Sequence, residues 1–144
     1  MNNNGAAINL EYEVMRYDFS KAGQASGEIK KVLKQLGINS NIVRKVAIAT
    51  YEAEMNIAIH SLGGKIIVKI TENNINISAL DYGPGIENIK LAMEEGFSTA
   101  PNNIRELGFG AGMGLPNMKR CSDVFEICSK KNKGTKVDMK IFLN

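Results

Sequence analysis

The sequence predicts a two-layer α/β sandwich: a mostly antiparallel, mixed sheet with its helices on one face. Three observations predict it. Five segments alternate apolar with polar residues, as strands with one greasy and one wet side do. Two pairs of them are joined by short polar connections, Glu72-Asn73-Asn74 and Lys130-Lys131-Asn132-Lys133-Gly134, which is the mark of hairpins. Two stretches between the first and second strands carry apolar residues at helical spacing and must cover the greasy side.

Taken in order, Ile8, Leu10, Tyr12 and Val14 alternate with Asn9, Glu11 and Glu13 in a half-buried strand. Ser20 can cap a helix whose apolar positions are Ala22, Ala25, Ile29, Val32, Leu33 and Leu36, ended by Gly37. A second helix starts near Ser40 or Asn41, carries Ile42, Val43, Val46, Ala47, Ala49 and Ala53, and runs through Met55, Ile57 and Ile59 to Gly63-Gly64. The first hairpin sets Ile66, Val68 and Ile70 beside Ile75, Ile77 and Ala79. The second runs from Val124 to Ser129 and from Lys136 to Leu143, with Val137, Met139, Ile141 and Leu143 opposite Lys136, Asp138 and Lys140. Between Ile86 and Gly112 there is at most a short helix, Glu87 to Glu94, and long irregular segments within a domain are usually functional lids.

A chain of 144 residues suits a single domain. It has no apolar run near the ~20 residues that span a bilayer, and Met1-Asn2-Asn3-Asn4-Gly5 lacks the pattern of a signal peptide, so a cytoplasmic protein without a membrane partner is expected. Cys121 and Cys128 lack metal-ligand spacing and are read as small buried hydrophobes in a reducing compartment. The net charge is +3, and the densest basic cluster, Lys130-Lys131-Asn132-Lys133, is read as a solvated turn because no aromatic residues interleave it. No nucleic-acid partner is expected.

Three places carry residues that the fold alone does not ask for. Gly108-Phe109-Gly110-Ala111-Gly112-Met113-Gly114-Leu115 offers bare backbone, and Leu115, Met118 and Cys121 behind it have helical spacing. Amides turned toward an anion, at a helix start, suit phosphate. The run is neither G-x-G-x-x-G nor G-x-x-x-x-G-K-[ST], and a flexible, helix-capping loop explains it as well when it is taken alone. Glu52, Asn56 and His60 are spaced four apart and share one stripe of the second helix. That stripe is either a wet face or chemistry: a carboxylate can serve as general base toward a hydroxyl or water, and an asparagine oxygen can ligate Mg²⁺. Asp81-Tyr82-Gly83-Pro84-Gly85-Ile86 ends a strand. Its aspartate either caps its own turn or accepts from the exocyclic amine of adenine, with glycines letting the base lie against backbone.

Glu-x-x-x-Asn on a helix, Asp-x-Gly-x-Gly-Ile after a strand, a lid, Gly-x-Gly-x-Gly-Leu opening a helix and Gly-Thr before the last strand follow one another from about residue 8 to 143. This order resembles the Bergerat-fold ATPases shared by gyrase, heat-shock chaperones, histidine kinases and mismatch-repair proteins. Within them, Gly112-Met113-Gly114-Leu115-Pro116-Asn117-Met118-Lys119-Arg120, with Lys133-Gly134-Thr135 later, is similar to the switch-kinase branch of the anti-sigma-factor serine/threonine kinases.

The resemblance implies ATP and Mg²⁺ as cofactors, with Glu52 as general base and Asn56 as metal ligand. It implies Asp81 as the adenine acceptor, with Gly83, Gly85 and Ile86 in its loop, and Thr135 in support. Gly110, Gly112, Gly114 and Leu115 would wrap the phosphates, and His60 and Arg105 are further candidates. Residues 1–7 would form a loose N-terminal segment, and about 95–111 the ATP lid. The implied function is a serine/threonine protein kinase acting on an anti-sigma-antagonist-like partner in transcription regulation, with a sigma factor or other regulator as further partner and room for a homodimer. The alternative is a nucleotide-responsive binding module without kinase activity. A stray histidine-kinase catalytic domain fits less well, because no helix pair carrying an acceptor histidine precedes the first strand.

Overall fold

The computed structural model describes residues 7–16, 21, 23–86, 89–94 and 114–143. Its elements are β1 (Ile8–Val14), α1 (Gln24–Gln35), α2 (Ser40–His60), β2 (Gly64–Ile70), β3 (Asn74–Asp81), α3 (Ile89–Ala92), α4 (Gly114–Cys121), β4 (Val124–Lys130) and β5 (Gly134–Phe142). The strands lie in the order β1-β2-β3-β5-β4, and each of the four pairings is antiparallel. The expected two-layer sandwich is thus present, with a sheet antiparallel throughout the described strands.

Alternation along the strands explains the layering, because every second side chain must face the same way. Ile66, Val68, Ile75, Ile77, Val137, Met139 and Ile141 point inward and are buried, whereas Lys69, Lys136 and Glu126 are exposed. Ile29 and Leu33 of α1, Val46, Ala49, Ala53 and Ile57 of α2, and Leu115 and Met118 of α4 complete one continuous core on that inner face. Each fully buried aliphatic side chain contributes roughly 1.5–3 kcal/mol. The central helix α2 contacts β1, β2 and β3, while α4 contacts β4 and β5 and packs on α2. Among the described residues no helix is long and apolar enough to cross a membrane.

Two local expectations need correction. The first helix begins at Gln24 rather than near Ser20: Gly23 precedes it at φ 86°, and Ser20 and Ala22 lie outside the described residues. No side chain of the cap residue satisfies the first amides. A distant one does so instead, since Glu54 of α2, only 6% exposed, accepts from Ala25 N at 3.2 Å and from Ser26 N at 3.4 Å. A carboxylate at a helix N-terminus is favoured by the orphan donors and by the dipole. The second correction concerns the cysteines. Cys128 is exposed at an outward position of β4 beside Lys136, and Cys121 is only half-buried, with burial pushing its thiol up.

Burial also holds the Glu54 carboxyl above the usual glutamate range, although the amides of Ala25, Ser26 and Gly23 pull the other way. The folded chain therefore binds this proton more tightly than the unfolded chain does. Stability from this group is full below the normal glutamate pKa and is lost as pH rises through the raised folded value. Urea unfolding of wild type and Glu54→Gln across that window should show a fall with pH in the former that is flattened in the latter.

Candidate nucleotide site

Asp81 stands at the end of β3, where three backbones approach closely. A Cβ on its β2 register partner Gly64 would lie 2.0 Å from the Leu80 carbonyl oxygen and 2.8 Å from Asp81 Cα. On the other side, a Cβ on Gly134, whose φ is +95°, would lie 2.1 Å from the Asp81 carbonyl oxygen. Neither position admits a side chain. The approach lets the Thr135 amide donate to Asp81 Oδ1 at 2.9 Å. Desolvation pushes the Asp81 carboxyl above the usual aspartate range, opposed by that N–H. Oδ2 has no hydrogen-bond partner among the described residues and remains an acceptor for a ligand.

The loop after Asp81 is fastened at several points. A Cβ on Gly83 would meet Ser61 Cβ at 3.0 Å and Asp81 Oδ1 at 3.4 Å, so the bare backbone lies over the end of α2. Leu62 N donates to Tyr82 O at 2.8 Å and Tyr82 N to Gly63 O at 2.9 Å, extending the β2–β3 pairing past Asp81. Gly85, at φ +82°, leaves no room for a side chain, because a Cβ there would lie 2.4 Å from the Lys130 carbonyl oxygen. The basic turn between β4 and β5 is exposed, as expected of a solvated turn, and its Asn132 amide donates to Pro84 O at 2.8 Å. Ile86 N donates to Ser129 Oγ at 2.6 Å, and that hydroxyl shares a 2.8 Å hydrogen bond with the buried Thr135 Oγ1.

Glu52, Asn56 and His60 are all half-buried along α2, so their stripe is not an open wet face. Asn117 of α4 donates its Nδ2 to Glu52 Oε2 at 2.5 Å, and its Oδ1 accepts from Arg120 Nη2. The Asn56 amide makes no hydrogen bond among the described residues, leaving its oxygen available to a hard cation. At the start of α4, a Cβ on Gly114 would meet no described atom within 4 Å. Packing among the described residues therefore does not demand glycine there. Leu115, at 6% exposure, belongs to the core and holds α4 down. Arg105, Gly110, Gly112, the lid at about 95–111 and residues 1–6 of the N-terminal segment lie outside the described residues.

The chain belongs to the histidine kinase-, DNA gyrase B-, and HSP90-like ATPase family, whose profile matches residues 38–144. The serine/threonine-protein kinase RsbT of Bacillus subtilis (strain 168) is 32% identical over 112 residues, covering 75% of this chain and 78% of that protein. The anti-sigma F factor of Clostridium perfringens (strain SM101 / Type A) is 31% identical over 140 residues, covering 90% and 96%. That of Thermoanaerobacter sp. (strain X514) is 35% identical over 140 residues, covering 90% and 94%. These likenesses set the chain in the anti-sigma-factor serine/threonine kinase branch, with ATP binding as its common property.

The sequence reading missed Ser129 and Asn117. Ser129 had a signal: it follows Phe125 and Ile127 on the inward side of β4, where a polar residue needs a partner. Asn117 had none in spacing, because its partner is 65 residues away. Replacing Ser129 with Ala should remove the acceptor of the Ile86 amide, a loss of about 1 kcal/mol. Hydrogen exchange at Ile86 should then accelerate about fivefold while exchange in α2 is unchanged.

Proposed function

We propose that the chain is a Mg·ATP-dependent serine/threonine protein kinase that acts in the cytoplasm on an anti-sigma-antagonist-like partner and so regulates transcription. The observation that carries this reading is the half-buried Glu52 carboxylate, held from one side by Asn117 on the helix that Gly114 opens. A pure binding module needs no such group. The named relatives support the class, one being called a serine/threonine-protein kinase and the others anti-sigma F factors.

In this reading ATP supplies the phosphoryl group, and the residues divide the work. Asp81 accepts from the adenine amine through its unengaged oxygen, with Gly83, Gly85 and Ile86 shaping the edge and Thr135 bracing the carboxylate. Asn56 holds Mg²⁺ by its amide oxygen. Gly110, Gly112 and Gly114 offer backbone amides to the phosphates, with Leu115 anchoring the helix behind them. Residues 95–111 cover the nucleotide, and Arg105 and His60 are further phosphate contacts. Glu52 would take the proton from the partner's serine or threonine hydroxyl as that hydroxyl oxygen bonds to the γ-phosphorus and the bond from phosphorus to the β–γ bridging oxygen breaks, with ADP leaving.

A second reading is favoured by the name of the anti-sigma F relatives: a module that grips a sigma factor and uses nucleotide as an effector. The two separate in one assay. Purified chain, Mg·[γ-³²P]ATP and candidate partner proteins encoded beside it should give a labelled serine or threonine on one of them. Glu52→Ala should lower that transfer by at least ~10²-fold while nucleotide affinity stays within about twofold. Asp81→Asn should weaken nucleotide binding itself by roughly tenfold or more. Transfer to no partner, with nucleotide-dependent capture of a sigma factor, would leave the module reading standing.

A further inference from the structure

The reading above uses the contact of Asn117 with Glu52 but assigns Asn117 no step of the transfer, yet its surroundings are specific. Leu115 and Met118 are buried, at 6% and 0% exposure, which fixes the rotation of α4 and leaves Asn117 half-buried toward α2. The helix does not ask for asparagine, a poorer helix former than alanine whose amide is costly to bury unless bonded. Both ends of the amide are engaged. Because Oδ1 accepts from the Arg120 guanidinium, the group turned to Glu52 must be the donating Nδ2, so the amide has one allowed orientation. Glu52 Oε2 is thereby occupied, and Oε1 is left without a hydrogen-bond partner among the described residues.

The geometry points to Asn117 as a positioning residue that holds Glu52 through Oε2 and presents Oε1 for proton transfer. This inference rests on the assignment of Glu52 as general base. A free glutamate side chain samples several rotamers, whereas one tied at one oxygen keeps the other in a narrow range of directions. The donor sits on α4, whose first residue is the last glycine of the run. Displacement of that helix would be passed directly to the base. Packing of α4 on α2 does not depend on Asn117, because Leu115 and Met118 supply it.

The test measures transfer from Mg·[γ-³²P]ATP to the labelled partner, with nucleotide affinity read by fluorescent mant-ADP. Asn117→Ala should lower kcat by about 10- to 100-fold, with the KM for ATP and the mant-ADP Kd within about twofold of wild type. The isosteric Asn117→Asp, which sets a like charge against Glu52, should be at least as poor and serves if the alanine variant does not fold. Asn117→Gln, which keeps a donor on a longer arm, should recover part of the rate. In a Glu52→Gln background, Asn117→Ala should cost less than about twofold. A wild-type kcat in both Asn117→Ala and Asn117→Asp, beside an inactive Glu52→Gln, overturns the inference alone. A loss confined to nucleotide affinity overturns it too and gives Asn117 to the phosphate cradle. Glu52→Gln transferring at the wild-type rate instead removes the general base, and this inference with it.

Discussion

The candidate site depends on how closely β2 and β5 approach the last residue of β3. Gly64 and Gly134 flank the Asp81 backbone so tightly that a Cβ on either would come within about 2 Å of a carbonyl oxygen. Forcing one in would push a neighbouring strand away, and hydrogen bonds do not survive such a shift. The first to go would be the 2.9 Å bond from Thr135 N to Asp81 Oδ1, which orients the carboxylate. The loop through Ile86 would lose its seat next, because Ser129 and Lys130, which hold it, sit on the same hairpin as Gly134. A small steric fact about two glycines thus sets the direction of one acid and the course of the chain after it.

Three acids make a useful comparison, because the fold treats each differently. Glu52 and Glu54 are two residues apart on α2, about 200° around the helix, so they face opposite ways. Glu54 is buried with both oxygens accepting from α1 amides, which makes it a structural cap with no oxygen to spare for chemistry. Among the described residues Asp81 has one oxygen bonded and one unengaged, with its proton affinity raised by burial, an arrangement suited to a directional acceptor. Among the described residues Glu52 is also held at one oxygen only, but by a side chain from another helix, at a half-buried position next to the start of α4. Residue type alone would rank them equally; the number of unengaged oxygens and the identity of the tether separate them.

Much of the fold was legible because its causes are local. Alternation placed the strands, and Asn39 and Gly63-Gly64 bound α2 close to where spacing put its ends, with Asn39 accepting from Asn41 N at 2.8 Å. The start of α1 was illegible for a physical reason: its cap is Glu54, 29 residues along the chain from Ala25. Cys128 was misplaced because a cysteine's usual burial yields to its register when alternation turns it outward. For the candidate site, type and spacing singled out Glu52, Asn56 and Asp81 as candidates. Gly64 was read as a helix stop and Gly134 as part of a hairpin turn and of the Gly-Thr pair before the last strand, although what requires both is a carbonyl on a neighbouring strand. Contacts between distant segments leave no mark in a single sequence unless, as at Ser129, they put a polar residue where the pattern wants an apolar one.

α2 links the two halves of the site. Its middle holds Glu52 against α4, and its end carries Ser61, whose Oγ donates to Ile57 O at 2.7 Å and accepts from Gly63 N at 3.1 Å, directly beneath Gly83. Between Glu52 and His60 the helix rises about 12 Å, a separation fixed by continuous backbone hydrogen bonds. Ala53 and Ile57, at 1% and 2% exposure, clamp this stretch to the sheet, so it cannot shorten or turn without opening the core. A group set by α2 and one set by the Asp81 loop are therefore held at a constant spacing, and α4 is tied to the helix by its buried Leu115 and Met118 and by the Asn117–Glu52 hydrogen bond. That makes the Asn117–Glu52 hydrogen bond the point at which a movement near the glycine run would reach the carboxylate, while the Asp81 end stays where the two glycines put it.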